Sequence, residues 1–356
     1  MNKRLKKHLN RTVALTAAGC IFASSAMAAG QVNLLTWEGY ADESFIKQFE
    51  EESGCKVSAT YVGSNDDFAP KLAAGGGVYD IISPSIDTTK VMIEAGFVEP
   101  IDLSKIARFE EIYPKFRNAE GVNHDGKTYG VPFAWGSIPF MYRTDKIAEA
   151  DAPTSLKVLW DPKYKGKISL WDDKSSIYVA ARVNGNMNIF ELNDAELDAA
   201  KQKLIAQKPL VRKYWSTAGE LVDLFAGGEV WISNTWGGYQ SSLLADKNIP
   251  VKEFIPEEGA EGWMDSWMVV KGTANSECVY KFINMSISEH GQCGMSNYNG
   301  YSSSNPVAAK KCMSPEQFTK LHQDDVNYMD SLLLWTNLGA RLEHYTNIWN
   351  AVKASN

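Results

Sequence analysis

The chain has 356 residues, a formal net charge of −7 at pH 7 and eleven tryptophans. That length is too great for one small core and favours two lobes. The acidic balance argues against nucleic acid and anionic membrane surfaces as partners, and it suits a cationic ligand.

The N-terminus predicts an exported protein. Residues 1–28 combine a basic start, a short apolar stretch and the tripeptide Ala26-Met27-Ala28, which together are typical of a cleaved secretory signal peptide. The apolar stretch is too short to span a membrane. Cys20 is a weak candidate for a lipoprotein site, because Ala17 stands where a larger aliphatic residue is usual. Removal of residues 1–28 would leave 328 residues with a formal charge of −12, in the periplasm.

The start of the mature chain alternates between predicted strands and predicted helices. Asp42 stands near the start of the first helix and Gly54 at its end, and both are typical helix boundaries. The expected strands are 31–36, 56–62 and 79–83, and the expected helices are 41–53, 67–74 and 88–95. This alternation predicts an α/β lobe with a mostly parallel sheet.

The middle of the chain predicts a crossing to a second lobe and a return. Residues 129–142 are apolar and aromatic without a helical period, so we expect two strands joined through Trp135-Gly136. A helix follows at 193–207, with Asn193 as its N-cap and Pro209 after its end. The other expected elements are a strand at 229–234, a returning strand at 263–271 and a helical region from a capping box at 314–317 to Lys353.

The four cysteines of the mature chain are expected to form disulfides, because an export signal implies an oxidising compartment. They are Cys55, Cys278, Cys293 and Cys312, and their three possible pairings remain open. We favour Cys278 with Cys312. No C-x-x-C pair or histidine cluster has metal-ligand spacing, so neither a metal nor a cofactor is expected.

No catalytic motif is recognisable, so we predict that the protein is not an enzyme. Aromatic residues instead accompany acids or glycines at predicted strand ends, in the segments Trp37-Glu38-Gly39-Tyr40, Trp171-Asp172-Asp173, Trp236-Gly237-Gly238 and Trp263-Met264-Asp265. Ligands of α/β sheets bind at the carboxyl ends of strands. Aromatic faces attract ammonium groups, and a buried carboxylate needs a cationic partner. This pattern predicts that Asp265 binds an amine group and that Trp263 lines the binding site.

With these segments in view, the chain resembles the periplasmic spermidine/putrescine-type solute-binding proteins of ABC transporters. The resemblance spans nearly the whole mature chain. It is carried by TWEGY at 36–40, YDIISPS at 79–85, YGVPFAWG at 129–136, DPKYKG at 161–166, WGG at 236–238, WMDS at 263–266 and the Gly300-Tyr301 turn. It implies a type II-like fold of two α/β lobes, with the ligand in the cleft between them and closure by a hinge.

The same resemblance implies a set of ligand-binding residues and domain limits. The implied ligand contacts are Trp37, Tyr40, Ser85, Asp173, Ser216, Trp236, Trp263, Asp265, Tyr301 and Trp335, with Thr336 as an alternative to Trp335. Glu38 and Asp87 are added as acids that could replace carboxylates of the family pattern. Lobe 1 would comprise residues 29–136 and 268–316, lobe 2 residues 137–267, and a C-terminal helical region 317–356 would pack on both. The expected partners are a small amine and a permease in the inner membrane, and the protein is expected to be a monomer.

Departures from the family pattern bear on the ligand. Gly39 replaces the acid that normally precedes the tyrosine, Ser176 stands where glutamate is usual, and Asp87 replaces a tyrosine. Because each lost charge pair would cost several kcal/mol for a desolvated amine, a full-length triamine is disfavoured.

Two ligand classes and one other function are compatible with these residues. The leading interpretation is a receptor for a polyamine or a related amine. The first alternative is a receptor for a zwitterion such as an amino acid derivative or an aminophosphonate, with Arg143 or Arg212 as a possible anion partner. The second alternative is a secreted carbohydrate-active hydrolase, because tryptophan-lined clefts also bind sugars.

Overall fold

The computed structural model describes residues 30–75 and 77–355. The predicted signal peptide and Cys20 lie outside these residues. The strands, in chain order, are β1 (Gly30–Thr36), β2 (Cys55–Tyr61), β3 (Ile81–Ile82), β4 (Asn123–His124), β5 (Lys127–Thr128), β6 (Val131–Ile138), β7 (Phe140–Arg143), β8 (Ile168–Trp171), β9 (Val211–Trp215), β10 (Ile232–Asn234), β11 (Val251–Phe254), β12 (Glu261–Val269), β13 (Ser302–Ser303) and β14 (Leu333–Leu334).

The α-helices connect these strands and cover the sheets. They are α1 (Glu43–Ser53), α2 (Phe68–Gly75), α3 (Ile86–Glu94), α4 (Pro114–Arg117), α5 (Ser175–Val183), α6 (Asp194–Gln207), α7 (Ala218–Ala226), α8 (Tyr239–Asp246), α9 (Ser276–Ser286), α10 (Glu289–Asn299), α11 (Pro306–Ala309), α12 (Pro315–Lys320) and α13 (Leu342–Ala354). None of the described helices is long and apolar enough to cross a membrane.

The first sheet has the strand order β13-β6-β12-β3-β1-β2, with β14 paired to β12. β1 pairs in parallel with β2 and β3, as the alternation of strands and helices predicts. α1 illustrates how local sequence builds this part. The Asp42 side chain caps its first turn, Phe45, Ile46 and Phe49 are buried on one face, and Gly54 ends it in the left-handed conformation.

The second sheet has the strand order β11-β7-β10-β8-β9. β8 pairs in parallel with β9 and β10, whereas β7 runs antiparallel to β10 and β11. α6 lies in the connection between β8 and β9 and begins with a complete capping box between Asn193 and Glu196, so the predicted start of this helix is correct.

The crossing between the sheets lies two to three residues beyond its predicted position. β6 continues through Trp135-Gly136 to Ile138 in the first sheet, and β7 begins the second sheet at Phe140. Pro139 separates them, because proline has no backbone N–H to donate to a sheet.

β12 makes the return, and all of it belongs to the first sheet. Glu261 to Trp267 pair with β6, and Met268 and Val269 pair with β3. Residues 261–267, which the sequence analysis placed in lobe 2, therefore form hydrogen bonds in the first sheet. The C-terminal region is also less helical than expected, since β14 interrupts it and pairs with β12 before α13 begins.

The favoured disulfide is wrong. The structure joins Cys55 to Cys278, with Cα atoms 5.7 Å apart, and Cys293 to Cys312, with Cα atoms 6.1 Å apart. Cys55 opens β2 and Cys278 lies in α9, which packs on the neighbouring β1. The pairing therefore depends on a contact between segments 223 residues apart in the chain.

Candidate ligand-binding site

A small cavity of about 20 Å³, room for about one water molecule, lies where residues of both sheets meet. Aromatic side chains form most of its wall. Its lining residues are Trp37, Tyr40, Ser85, Ile138, Trp171, Trp236, Trp263, Asp265, Tyr301 and Trp335. The structure thus brings eight of the twelve predicted ligand contacts together. Their role in binding remains a prediction.

The position of these residues follows from the sheet topology. Trp37 and Tyr40 come directly after β1 and Ser85 after β3, at the carboxyl ends of parallel strands of the first sheet. Trp171 ends β8 and Trp236 follows β10 in the second sheet. The two sheets therefore present the same kind of edge to one cavity, as expected for α/β folds.

Among the described residues that line the cavity, Asp265 is the only one with a carboxylate. It is 3% exposed. Its Oδ2 accepts a hydrogen bond from the Tyr40 hydroxyl and its Oδ1 accepts one from the Ser85 hydroxyl, both at 2.6 Å. None of the ion pairs within residues 30–75 and 77–355 includes this carboxylate.

Burial raises the pKa of Asp265 to about 7. The hydrogen bonds from Ser85 and Tyr40 oppose this rise, and the nearby charge of Asp87 adds to it. Burial also raises the pKa of Tyr40 and Tyr301 well above the ordinary value, so both hydroxyls stay protonated and Tyr40 donates to Asp265. The cavity consequently presents one acid that ionises poorly without a cation.

Three tryptophans from both sheets meet edge to face. The ring centroids of Trp37 lie 6.0 Å from Trp171 and 5.7 Å from Trp236, and those of Trp171 and Trp236 are 5.7 Å apart. Trp335 stacks on Trp171 at 6.1 Å. Trp263 meets Tyr301 edge to face at 4.8 Å. These contacts form an aromatic wall around Asp265.

Two predicted acids, Asp87 and Asp173, do not line the cavity. Both are buried beside Lys174, which the sequence analysis did not select. The Lys174 ammonium lies 3.4 Å from Asp87 Oδ2 and 3.3 Å from Asp66 Oδ1. Asp173 Oδ1 accepts a hydrogen bond from the Ser175 amide at 2.7 Å. Asp87 therefore already has an internal cation as its partner.

Glu38 and Ser216 also lie outside the cavity. Glu38 Oε2 accepts a hydrogen bond of 2.6 Å from the amide of Ala218, the first residue of α7 in the second sheet's layer. Ser216 is exposed, and its backbone amide donates to Glu220. Glu38 therefore links the two halves, and a carboxylate at a helix N-terminus is electrostatically favourable.

The arginines considered as anion partners have other roles. Arg143 pairs with Asp145 and donates to the Phe225 carbonyl, and Arg212 pairs with Glu229. A third arginine, Arg182, is fully buried and lies 2.6 Å from Glu261. No grouping of acids, histidines or cysteines in the described chain could hold a metal ion.

Sequence reasoning missed Ile138, Trp171 and Lys174. Trp171 belongs to one of the four aromatic segments selected from the sequence, Trp171-Asp172-Asp173, but only Asp173 of that segment was named as a ligand contact. Ile138 is an ordinary strand residue without any distinguishing signal. Lys174 next to Asp173 looks like a solvated charge in the sequence, and only the packing of the two sheets buries it.

Comparison with known proteins identifies the family of this chain. The profile of a family described as bacterial extracellular solute-binding proteins matches residues 44–325. The chain belongs to this family. Its members bind solutes for transport and are not enzymes, which confirms the prediction of a non-catalytic protein and sets the hydrolase aside.

Individual relatives of this solute-binding protein cover most of its length. It is 27% identical to the spermidine/putrescine-binding periplasmic protein of Escherichia coli K12, over 99% of each chain. It is also 27% identical to the putrescine-binding periplasmic protein SpuD of Pseudomonas aeruginosa UCBPP-PA14, over 80% of each chain.

A solved structure, the putative spermidine/putrescine ABC transporter protein from Listeria monocytogenes, superposes with a TM-score of 0.81 at 26% identity. The superposition covers 91% of this chain and 99% of that one. The expected two-lobe α/β solute-binding fold is thereby confirmed, and the resemblance noted in the sequence is correct.

Proposed function

We propose that this solute-binding protein is the periplasmic receptor of an ABC importer and that its ligand is a small amine. The observation that carries this proposal is the state of Asp265. Its carboxylate is buried, receives two hydrogen bonds and has no cationic partner within the described residues. Because an unpaired buried charge is costly, an ammonium group is the ligand chemistry that best complements it.

The aromatic wall supports the same ligand class. An ammonium over an aromatic face gains roughly 0.5 to 2 kcal/mol, with the larger values where water is excluded. Trp37, Trp236, Trp263 and Tyr301 line the cavity together with Asp265 and supply aromatic rings for such a contact. Their apolar surface also suits the alkyl chain that carries the amine.

The names of the relatives support a role in periplasmic transport. The Escherichia coli and Pseudomonas aeruginosa relatives are named for binding spermidine or putrescine, and the Listeria structure for an ABC transporter. Together with the predicted signal peptide, these names support a receptor in the periplasm that delivers an amine to an inner-membrane permease.

Calorimetric titration of the ligand-stripped mature protein tests this function. The ligands are putrescine, spermidine and 4-amino-1-butanol, and we expect at least one to bind. Asp265→Asn should weaken binding at least 30-fold, because loss of one partner of a buried charged pair costs about 2 to 5 kcal/mol. Asp198→Asn, which changes an exposed acid on α6, is the matched control and should leave affinity unchanged. Folded protein that binds none of the three, or an unaffected Asp265→Asn variant, would contradict the proposal.

A further inference from the structure

The buried ion cluster around Lys174 is independent of the cavity lining and has no role in the proposed function so far. Lys174 is 1% exposed, and Asp87 and Asp173 are each 3% exposed. Burial disfavours the charge of Lys174, but Asp173, Asp87 and Asp66 together raise its pKa well above the ordinary value. The side chain is therefore a permanent ammonium group held inside the protein.

This ammonium group bridges the two halves of the molecule. Lys174 follows β8 of the second sheet, whereas Asp66 lies after β2 and Asp87 in the first turn of α3, both next to the first sheet. Asp87 also stands two residues after Ser85, which donates to Asp265. The cluster thus lies close to Asp265, the acid proposed to bind the ligand amine. The cation of the cluster is Lys174, a residue of the protein itself.

The two buried acids of the cluster are not placed to contact a second ligand amine in the cavity, although Asp173 Oδ2 has no hydrogen-bond partner among the described residues. Burial raises the pKa of Asp87 to about 6 and also raises that of Asp173, and Lys174 opposes both shifts. Asp87 is therefore still mostly ionised at pH 7, where the Lys174 ammonium 3.4 Å away balances its charge. Asp66 is 29% exposed at its side chain and accepts a further hydrogen bond from Thr346. Neither Asp87 nor Asp173 reaches the cavity surface.

The indole N–H groups of the cavity give a second, separate indication. Four of its five tryptophans donate to protein oxygens: Trp37 to Ser83, Trp171 to Gly63, Trp263 to Ser137 and Trp335 to Glu261. The buried Nε1 of Trp236 has no acceptor among the described residues. A ligand oxygen could accept from it, whereas an ammonium group carries only donors.

We propose that Lys174 supplies from within the chain the cation that a second ligand amine would provide, so the ligand carries a single ammonium group, bound by Asp265, and a hydrogen-bond acceptor at its other end. This rests on the proposed function, because it assumes that the ligand is an amine. It narrows the class to monoamines with a polar, non-cationic end and disfavours putrescine and longer polyamines.

Competition between compounds of equal length tests the inference in the full mature protein. 4-Amino-1-butanol, 4-aminobutyrate and putrescine share a four-carbon amine and differ in the end group, which is a hydroxyl, a carboxylate or a second ammonium. We expect calorimetry to show at least tenfold tighter binding of the hydroxyl or the carboxylate compound than of putrescine. Putrescine binding as tightly as both would overturn the inference but leave the amine receptor intact. Failure of all three and of spermidine would instead overturn the proposed function.

The variant Lys174→Met assigns this selectivity to the internal ammonium. Its removal leaves the charges of Asp87 and Asp173 unbalanced next to the cavity, and their negative potential favours a ligand with a second ammonium group. The affinity for putrescine relative to 4-amino-1-butanol should therefore rise at least tenfold. Lys165→Met removes an exposed lysine and the same charge, and it should leave the ratio unchanged. If Lys174→Met does not fold, Lys174→Met/Asp87→Asn removes opposite charges together. Because Asp173 then loses its cation, the ratio must still rise, and an unchanged ratio in the folded variant would refute the role of Lys174.

Discussion

Amine binding should weaken steeply below neutral pH, because Asp265 must be ionised to hold an ammonium group. Its pKa in the empty site is about 7, raised mainly by burial. An alkylamine keeps its proton throughout the range from pH 5 to 8, since its pKa resembles that of lysine, about 10.4. The charge of the carboxylate therefore determines the pH dependence.

The magnitude follows from the ionised fraction. At pH 8 about nine-tenths of Asp265 is ionised, and at pH 5 about one-hundredth is, so affinity should fall about 100-fold between them. Near pH 7, binding should release about half a proton. Tyr40, Ser85 and Asp87 are the groups that face or influence the carboxylate, and Asp87 can add only a smaller effect because Lys174 already balances it.

The assay is calorimetry with 4-amino-1-butanol at pH 5, 6, 7 and 8, in two buffers with different ionisation enthalpies. The buffer dependence gives the protons released, and the affinities give the slope with pH. Asp265→Asn should bind weakly at every pH and show no slope. A wild-type affinity that is constant from pH 5 to 8 would refute the reasoning, since the carboxylate would then be ionised without its ligand.

Three further predictions concern stability and closure. The pKa of Asp265 is higher in the folded than in the unfolded chain, about 7 against 3.8, so its favourable contribution to folding is complete below about pH 4 and is lost as pH rises through 7. Asp265→Asn should therefore increase the free energy of unfolding of the ligand-free protein at pH 8 by up to about 4 kcal/mol. Its unfolding temperature should rise accordingly, and an unchanged temperature would contradict this. Replacing Cys55 and Cys278 by serine should cost about 2 to 5 kcal/mol in chemical denaturation, without a change in amine selectivity. Glu38→Gln removes a charge at the N-terminus of α7 and should lower amine affinity up to about fivefold, by about 0.3 to 1 kcal/mol, and faster ligand release in stopped flow would confirm its cause.

Elements with strong local signals are the part of the fold that the sequence predicts well. Asp42 and Gly54 mark the ends of α1, and Asn193 with Glu196 marks the start of α6, because the capping groups lie within a few residues of the backbone they satisfy. The features that the sequence did not predict correctly are long-range contacts. The pairing of β12 with β6 and the bond between Cys55 and Cys278 depend on which segments become neighbours, and no local pattern encodes that.

The candidate site also has residues that the sequence predicts well and residues that it does not. Aromatic and small polar residues that follow parallel strands are predictable as site residues, because the carboxyl ends of such strands meet at one edge. Trp37, Ser85 and Trp236 lie there. The roles of the acids cannot be predicted in this way, because each role depends on which group lies next to the carboxylate in the folded protein. Asp265 finds hydrogen-bond donors only, whereas Asp87 finds Lys174 and Glu38 finds the amide of Ala218.

These partners also determine how much a ligand has to contribute to closure. Lys174, Glu38 and the hydrogen bond from Trp171 to the Gly63 carbonyl, 2.7 Å long, already link the two sheets. A ligand therefore does not need charges at both ends to hold them together. What the protein does not supply is a cation for Asp265, and an amine that provides one removes the principal electrostatic cost of the closed arrangement. A single ammonium group is then sufficient to favour closure, which is the physical reason that a small monoamine can serve this receptor.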